Sequence, residues 1–353
     1  MKEIFTKDLK ENDSFNTVFL VSNKNLSAGK TGKSYIAVSL MDKTGSIEGR
    51  VWDNAEHFAG LFNAEDFVRV KGSVSAYMGK LQVKVTSISR TDDNDVDVED
   101  FLPTARRPLE EMFEELIDIA GTMKDSYLKQ LVLDIFSDAK IADDYKHAPA
   151  AKGMHHVYIG GLLEHSLSLC KLIEKICAHY EGVNQDLITT GAILHDVGKT
   201  RELSYSRSFG YTDEGRLLGH ITIGVEMVDE KIRAIDGFPA ELAMLVKHMI
   251  LSHHGVYEYG SPKRPKTVEA TILSYLDDLD AKVNSLQTLI ESEAGSDSSW
   301  TGYHRLYERY IYKRNCLPQN EVDKTPKKET SNKADDVSPP EDKDTRKGQT
   351  AMF

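Results

Sequence analysis

The stretch Ala192-Ile193-Leu194-His195-Asp196-Val197-Gly198-Lys199 limits the fold most, because an apolar helix there must end by delivering an imidazole, a carboxylate and an ammonium together. Further imidazoles and carboxylates follow the same habit. His165, His220, the pair His253-His254 and Asp277 each fall inside or at the edge of a stretch with apolar residues spaced at three and four. Polar side chains on buried faces are costly unless they share a partner. Donors arriving from several helices form the kind of set that holds a divalent metal in a helical core. Singly, each of these histidines reads as a core residue with one hydrogen bond. The signal is the series, which takes five of the chain's twelve histidines in the order His, His-Asp, His, His-His, Asp.

At 353 residues the chain has room for about two domains and a tail, and its 40% apolar content supports real cores. The net charge of −12 argues against a polyanion partner until it is divided along the chain. Residues 1–92 carry 13 Lys and Arg against 11 Asp and Glu, residues 93–315 carry 24 against 37, and residues 316–353 carry 7 against 8. The acid therefore sits where a metal site needs carboxylates, and the start is the place for a nucleic-acid contact. The three cysteines, Cys170, Cys177 and Cys316, show no metal or redox spacing and read as reduced thiols. With no apolar leader and no membrane-length run, the expectation is a soluble cytoplasmic protein that makes no membrane contact.

Residues 14–90 read as short strands broken by turns. Ser34 to Asp42 alternates, with Ile36, Val38 and Leu40 on one face and Tyr35, Ala37 and Ser39 on the other. Ile47, Gly49 and Val51 then oppose Glu48, Arg50 and Trp52. A helix over Asn54 to Leu61 precedes a hairpin of Phe67 to Tyr77 and Leu81 to Ile88 around Met78-Gly79-Lys80. Three strands, a helical link and two closing strands resemble an OB-fold, which binds single-stranded nucleic acid on its second and third strands. That face would show Tyr35, Arg50 and Trp52, with Lys24, Lys30 and Lys33 in the preceding loop and Lys80 and Lys84 on the last hairpin. The alternative is that Tyr35 and Trp52 cap the barrel or meet the second domain. An Asp-rich linker spans residues 93–107. An all-α domain then covers 108–315, with helices over Leu109 to Ala120, Tyr127 to Phe136, Ile159 to Tyr180, Gln185 to His195, Leu217 to Ile235, Pro239 to His254 and Val268 to Glu291. Residues 316–353 hold almost nothing to bury and read as a disordered tail.

The ligand series, with Gly161-Leu162-Leu163-Glu164-His165-Ser166 and Leu276-Asp277-Asp278-Leu279-Asp280-Ala281-Lys282 around its ends, resembles the HD superfamily of metal-dependent phosphohydrolases. The resemblance implies one metal on His165, His195, Asp196 and Asp277, with Asp278 or Asp280 as alternatives to Asp277. It implies a second on His220, His253 and His254, bridged by Asp196. Such a shell suits manganese, iron, nickel, cobalt or magnesium better than structural zinc. Two ions would activate a water for attack on phosphorus, with Asp196 at the catalytic centre. Lys199 either donates to a phosphate oxygen or caps a helix C-terminus. His155 and His156 either contact substrate or serve their loop.

Where the cyclic-dinucleotide branch of that superfamily carries Gly-Tyr-Pro, this chain has Gly255-Val256-Tyr257-Glu258-Tyr259-Gly260-Ser261-Pro262, and it has Gly161 in place of that branch's glutamate. An OB-fold followed by such a domain is instead similar to the YhaM family of 3′-to-5′ exoribonucleases. The resemblance implies hydrolysis of single-stranded RNA from its 3′ end, acceptance of single-stranded DNA, and dependence on a divalent metal, manganese first. An oligomer is compatible with it. The runner-up expectation is a nucleotide phosphohydrolase or cyclic-nucleotide phosphodiesterase with a regulatory barrel.

Overall fold

The computed structural model describes residues 2–28, 32–152 and 156–313. Lys30, His155 and the tail 316–353 lie outside them. Strands β1 (Ser14–Ala28), β2 (Ser34–Asp42), β3 (Gly45–Val51), β4 (Phe67–Tyr77) and β5 (Lys80–Arg90) close a barrel in the order β1-β2-β3-β5-β4, with helix α1 (Ala55–Ala59) between β3 and β4. Every pairing is antiparallel except β3 with β5, and this is the expected OB-fold. The alternation seen in the sequence fills the barrel: Ile36, Val38, Leu40, Ile47, Val51, Val83 and Val85 share one buried core. A Cβ on Gly49 would stand 2.8 Å from Val38 Cγ1, so β3 needs glycine there to approach β2.

The second domain packs α2 (Leu109–Gly121), α3 (Ser126–Phe136), α4 (Ala139–His147), α5 (Gly161–His179), α6 (Gln185–Leu194), α7 (Lys199–Glu202), α8 (Asp213–Ala234), α9 (Ala240–Ser252) and α10 (Val268–Ser292) around one core. Its departures from the expected pattern have local causes. Helix α4 escapes a periodicity search because, of its nine residues, only Tyr145 is buried. Helix α8 starts four residues earlier than Leu217, at Asp213, because Thr212 caps it by accepting from Gly215 N–H, and it kinks at Gly219. A two-stranded hairpin, β6 (Leu203–Ser204) and β7 (Gly210–Tyr211), interrupts the helices. Among the described residues no helix is long and apolar enough to cross a membrane.

The stretch expected to be a linker is packed rather than loose. Its aspartates cap two short 3-10 turns, and Phe101 and Leu102 enter a core shared by Val18, Leu20 and Phe67 of the barrel and Ile159 of the helical domain. Phe101 lies against Phe67 with ring centroids 4.9 Å apart. Ile159 N–H donates to Pro103 O, and Ala105 N–H donates to Ile159 O, both at 2.8 Å. Arg207, at the tip of the β6–β7 hairpin, pairs with Asp66 (3.0 Å) and Asp93. The barrel is thereby docked on the helical domain. Phe101→Ala should cost about 3 to 5 kcal/mol in a urea melt, the range for truncating a buried phenylalanine. A loss below about 1 kcal/mol would mean that the ring does not join the domains.

Candidate metal centre and strand-binding face

Helix α6 is buried from Leu187 through Leu194, so the chain leaves it with His195 and Asp196 already deep in the core. Tyr145 of α4 holds that end by donating its hydroxyl to Ile193 O (2.8 Å), and it also bonds Ser166 of α5 (2.6 Å). Gly198 then lets α8 come against the motif's backbone, since a Cβ there would fall 2.0 Å from His220 O and 2.6 Å from Gly224 N. This close approach brings His220 to Asp196.

The side chains assemble around Asp196. Its Oδ2 lies 3.2 Å from His195 Nε2 and 2.6 Å from Lys199 Nζ; its Oδ1 lies 3.5 Å from both His220 Nε2 and His253 Nε2. On the other side His165 Nε2 meets Asp277 Oδ1 at 3.1 Å, with His195 Nε2 at 3.9 Å. Within the site, His165, His195 and Asp277 form one group with ligand atoms within 4.8 Å of one another, and His220, His253 and His254 form another. Asp196 presents one oxygen to each.

The far nitrogens fix which way each ring faces. Nδ1 of His195, His253 and His254 donates to the carbonyls of Ala192 (3.0 Å), Ile250 (2.7 Å) and Tyr259 (2.8 Å), and a carbonyl can only accept. Nδ1 of His220 bonds Glu202 (3.1 Å), and Nδ1 of His165 bonds Asp280 (2.7 Å). Lone pairs are left to converge. Buried His195 Nε2, Asp196 Oδ1, His220 Nε2 and His253 Nε2 have no hydrogen-bond partner among the described residues. Opposed acceptors of this kind fit a cation, and orienting bonds behind each ring are how ligand histidines are held.

Electrostatics agree with the geometry. Burial alone would raise Asp196, but Lys199 and His195 hold it well below the usual carboxylate range. Asp277 is likewise held low, against burial, by the hydrogen bond from His165 and by nearby imidazoles. Burial lowers His253, and burial with the neighbouring His253 lowers His254 to about 4, so both rings stay neutral and able to ligate. His165 goes the other way. Burial opposes its charge, yet Asp277 and Asp280 raise it to about 9.

The remaining residues named from the sequence divide. Lys199 opens α7 rather than capping α6, and its ammonium is committed to Asp196. Asp278 is exposed and paired with Lys282 (2.6 Å), which removes it from the ligand set, while Asp280 stands behind His165. His156 is buried, and its ring bonds Tyr158 OH (2.7 Å) and Asp280 (3.0 Å), which suits a supporting role for its loop. Glu202 and Asp280, the carboxylates that orient His220 and His165, were missed. Each lies three residues from a singled-out position, Lys199 and Asp277, and that helical spacing was the available signal.

On the barrel, Tyr35 and Trp52 stack with centroids 4.8 Å apart, and the Arg50 guanidinium lies 5.9 Å from the Tyr35 ring. Arg50 is the register partner of Lys84, so β2, β3 and β5 present these side chains on one outer face, with Lys80 at the start of β5. Trp52 remains 45% exposed and does not join the core shared with the helical domain. Lys33 pairs with Asp53 at the surface (2.7 Å). Lys24 is a correction: β1 runs through it, and its ammonium bonds the carbonyls of Ala59 and Phe62, so it stitches the barrel instead of lying in a loop.

Residues 162–282 match the HD domain family, and residues 20–90 match a family described as OB-fold nucleic acid binding domain. The chain is similar to the 3′-5′ exoribonuclease YhaM of Geobacillus sp. (strain WCH70), with 38% identity covering 77% of this chain and 83% of that protein. The YhaM proteins of Bacillus velezensis and Bacillus subtilis (strain 168) are 37% and 35% identical, each covering 77% of this chain and 86% of their own length.

Because His165 sits between two carboxylates, a metal must displace its proton. Between about pH 7 and 9 the affinity for manganese should rise about tenfold per unit and then level off. Calorimetry in buffers of different ionisation enthalpy should find about one proton released per ion taken up at pH 7.5. In Asp280→Asn, where His165 loses one carboxylate and becomes less basic, that release should shrink. Uptake that is independent of pH would contradict the assignment of His165.

Proposed function

The chain belongs to the YhaM family of 3′-to-5′ exoribonucleases, and we propose on that basis that Asp196 is the catalytic centre of a manganese-dependent enzyme that shortens single-stranded RNA and accepts single-stranded DNA. The observation that carries this reading is the convergence of unpartnered ligand atoms on the two oxygens of Asp196. Relatives at 35 to 38% identity, each named an exoribonuclease, favour it over a nucleotide phosphohydrolase or cyclic-nucleotide phosphodiesterase.

Under this reading His165, His195, Asp196 and Asp277 hold one ion, and His220, His253 and His254 with Asp196 hold a second. Ions bound there would polarise the scissile phosphate and supply a water of lowered pKa. The protein's own part is to position and to exclude. Asp280 and Glu202 lock two of the imidazoles from behind, and the buried walls keep bulk water from screening the charges. Lys199, already fully charged beside Asp196, is placed to shift toward a phosphate oxygen as its negative charge grows. Tyr35, Trp52, Arg50, Lys33, Lys80 and Lys84 hold the upstream strand by stacking and phosphate contact, with Lys30 and His155 assigned from the sequence alone. A cytoplasmic location suits such a substrate.

The decisive assay gives the protein manganese and a 5′-labelled single-stranded RNA, beside a duplex, a DNA strand and a panel of free and cyclic nucleotides. A ladder shortening from the 3′ end is expected. Faster loss of the free or cyclic nucleotides would overturn the reading. Asp196→Asn should abolish turnover and lower bound metal while leaving the helical circular dichroism intact. Elemental analysis should count two ions per wild-type chain and one in His253→Ala, and a single ion in the wild type would rule out the binuclear form. Trp52→Ala should weaken kcat/KM on a long strand about five-fold to a hundred-fold and spare a dinucleotide, which is too short to reach the barrel. Equal losses on both substrates would assign the barrel a purely structural role.

A further inference from the structure

Beyond α10 the chain turns back as a small hairpin in which Trp300 bridges Tyr312 and His304 bridges Arg309. Thr301 N–H donates to Ile311 O (2.9 Å) and Lys313 N–H to Ser299 O (2.8 Å). Ring pairs stiffen it, Trp300 with Tyr312 (centroids 5.0 Å) and Tyr303 with Tyr310 (5.3 Å). Its base is tied to the end of α10, where Gly302 N–H bonds Glu293 and the Lys313 ammonium bonds the carbonyls of Glu293 and Ser296. The hairpin lies outside both family matches, which end at residues 90 and 282.

A hairpin built this firmly is expected to turn its apolar rings inward. This one does not. Trp300, Tyr303, Leu306, Tyr310 and Tyr312 are each 44 to 55% exposed. A cluster of that kind marks a binding surface.

Its position says what it faces. The Lys282 ammonium, raised first by its pair Asp278, also feels the phenols of Tyr259 and Tyr307, so the hairpin folds back along α10 toward the turn that carries Asp277. The carbonyl of Tyr259 accepts from His254 Nδ1, and Arg264 lies over the neighbouring Tyr257 ring at 5.0 Å. Aromatic hairpin, Tyr257–Tyr259 turn and the ligand-bearing parts of α9 and α10 therefore share one rim. Residues 93–315 are strongly acidic overall, yet this rim carries Arg264, Lys282, Arg305 and Arg309.

We propose that the rim is a second single-strand platform, on which the unpaired bases next to the 3′ end stack on Trp300, Tyr303 and Tyr310 while Arg305 and Arg309 follow the phosphates into the metal centre. Exposed rings interleaved with guanidinium groups suit nucleobases, because every base offers a π-face whatever the sequence. The proposal rests on the exoribonuclease reading above and adds where the substrate's reactive end is held. It differs from the barrel in reach: a platform beside the metal centre grips even a short strand.

The test measures kcat/KM on RNAs of about four and about twenty-five nucleotides with manganese. Replacing Tyr303 and Tyr310 together by alanine should lower kcat/KM about five-fold to a hundred-fold on both lengths, chiefly through KM. Tyr303→Phe with Tyr310→Phe should restore it, since phenylalanine keeps the stacking face. In the wild type held in chelator, 4-thiouridine placed two nucleotides from the 3′ end should crosslink within residues 299–313, a readout that does not depend on any variant folding. Unchanged kinetics in the double alanine variant, or crosslinks confined to the barrel, would overturn the platform. So would a change in the mass of the assembly in that variant by light scattering, which would assign the rim to contact between copies. A wild type that degrades no RNA would instead overturn the exoribonuclease reading itself.

Discussion

Asp196 Oδ1 faces the Nε2 atoms of His220 and His253 at 3.5 Å, and both imidazoles have used their other nitrogen to donate elsewhere. Acceptor against acceptor in a buried site is repulsive unless a positive charge intervenes. Lys199 answers only half of this, because its ammonium reaches Oδ2. The rest of the helical domain can be understood as the apparatus that holds this unfavourable arrangement in place: a fully buried α6 to carry the motif, Gly198 to admit α8, and Nδ1 bonds that deny each ring the option of turning away. A repulsion kept by so many favourable contacts is what a preformed cation site looks like.

The same chain of contacts runs out to the barrel. Asp66 and Asp93 grip Arg207, Arg207 stands on the β6–β7 hairpin, that hairpin follows α7 directly, and Glu202 at the end of α7 fixes His220 through both its backbone N–H and its ring. Docking the barrel and aiming a second-group imidazole are therefore one structural problem. This explains why the segment between the domains buries Phe101 and Leu102 instead of leaving them in a free tether.

What the sequence made legible follows from periodicity and spacing. The barrel face was readable because strand alternation places Tyr35, Arg50 and Trp52 outward once Ile36 and Val51 go in, and the ligand helices were readable because their apolar stripes are long. Helix α4 was not, since nine residues with one buried Tyr145 carry no stripe. Lys24 was misplaced because β1 continues through polar Ser22 to Asn25, where a strand at the rim of the barrel need not alternate. The packed stretch of 93–107 was hidden by its aspartates, whose real work is capping the turns that present Phe101. Asp280 and Glu202 act through another residue's ring, and contacts of that order exist only once helices have met in space.

Charge gives the two domains their division of labour. Around the proposed metal centre stand four acids of low accessibility, Asp196, Asp277, Asp280 and Glu202, each held below its ordinary pKa and so charged at neutral pH. His165 as imidazolium and Lys199 offset only two of them. A phosphodiester approaching that surface without divalent ions meets a field of its own sign, whereas the barrel, with its slight excess of Lys and Arg, repels it less and offers stacking that no salt screens. Binding of the strand and admission of its end are thus governed by different forces, the first by aromatic surface and surface cations, the second by how far bound metal reverses the charge of the core. A chain built this way holds RNA without metal and cuts it only with metal, and the acidic character of its helical domain is what enforces that order.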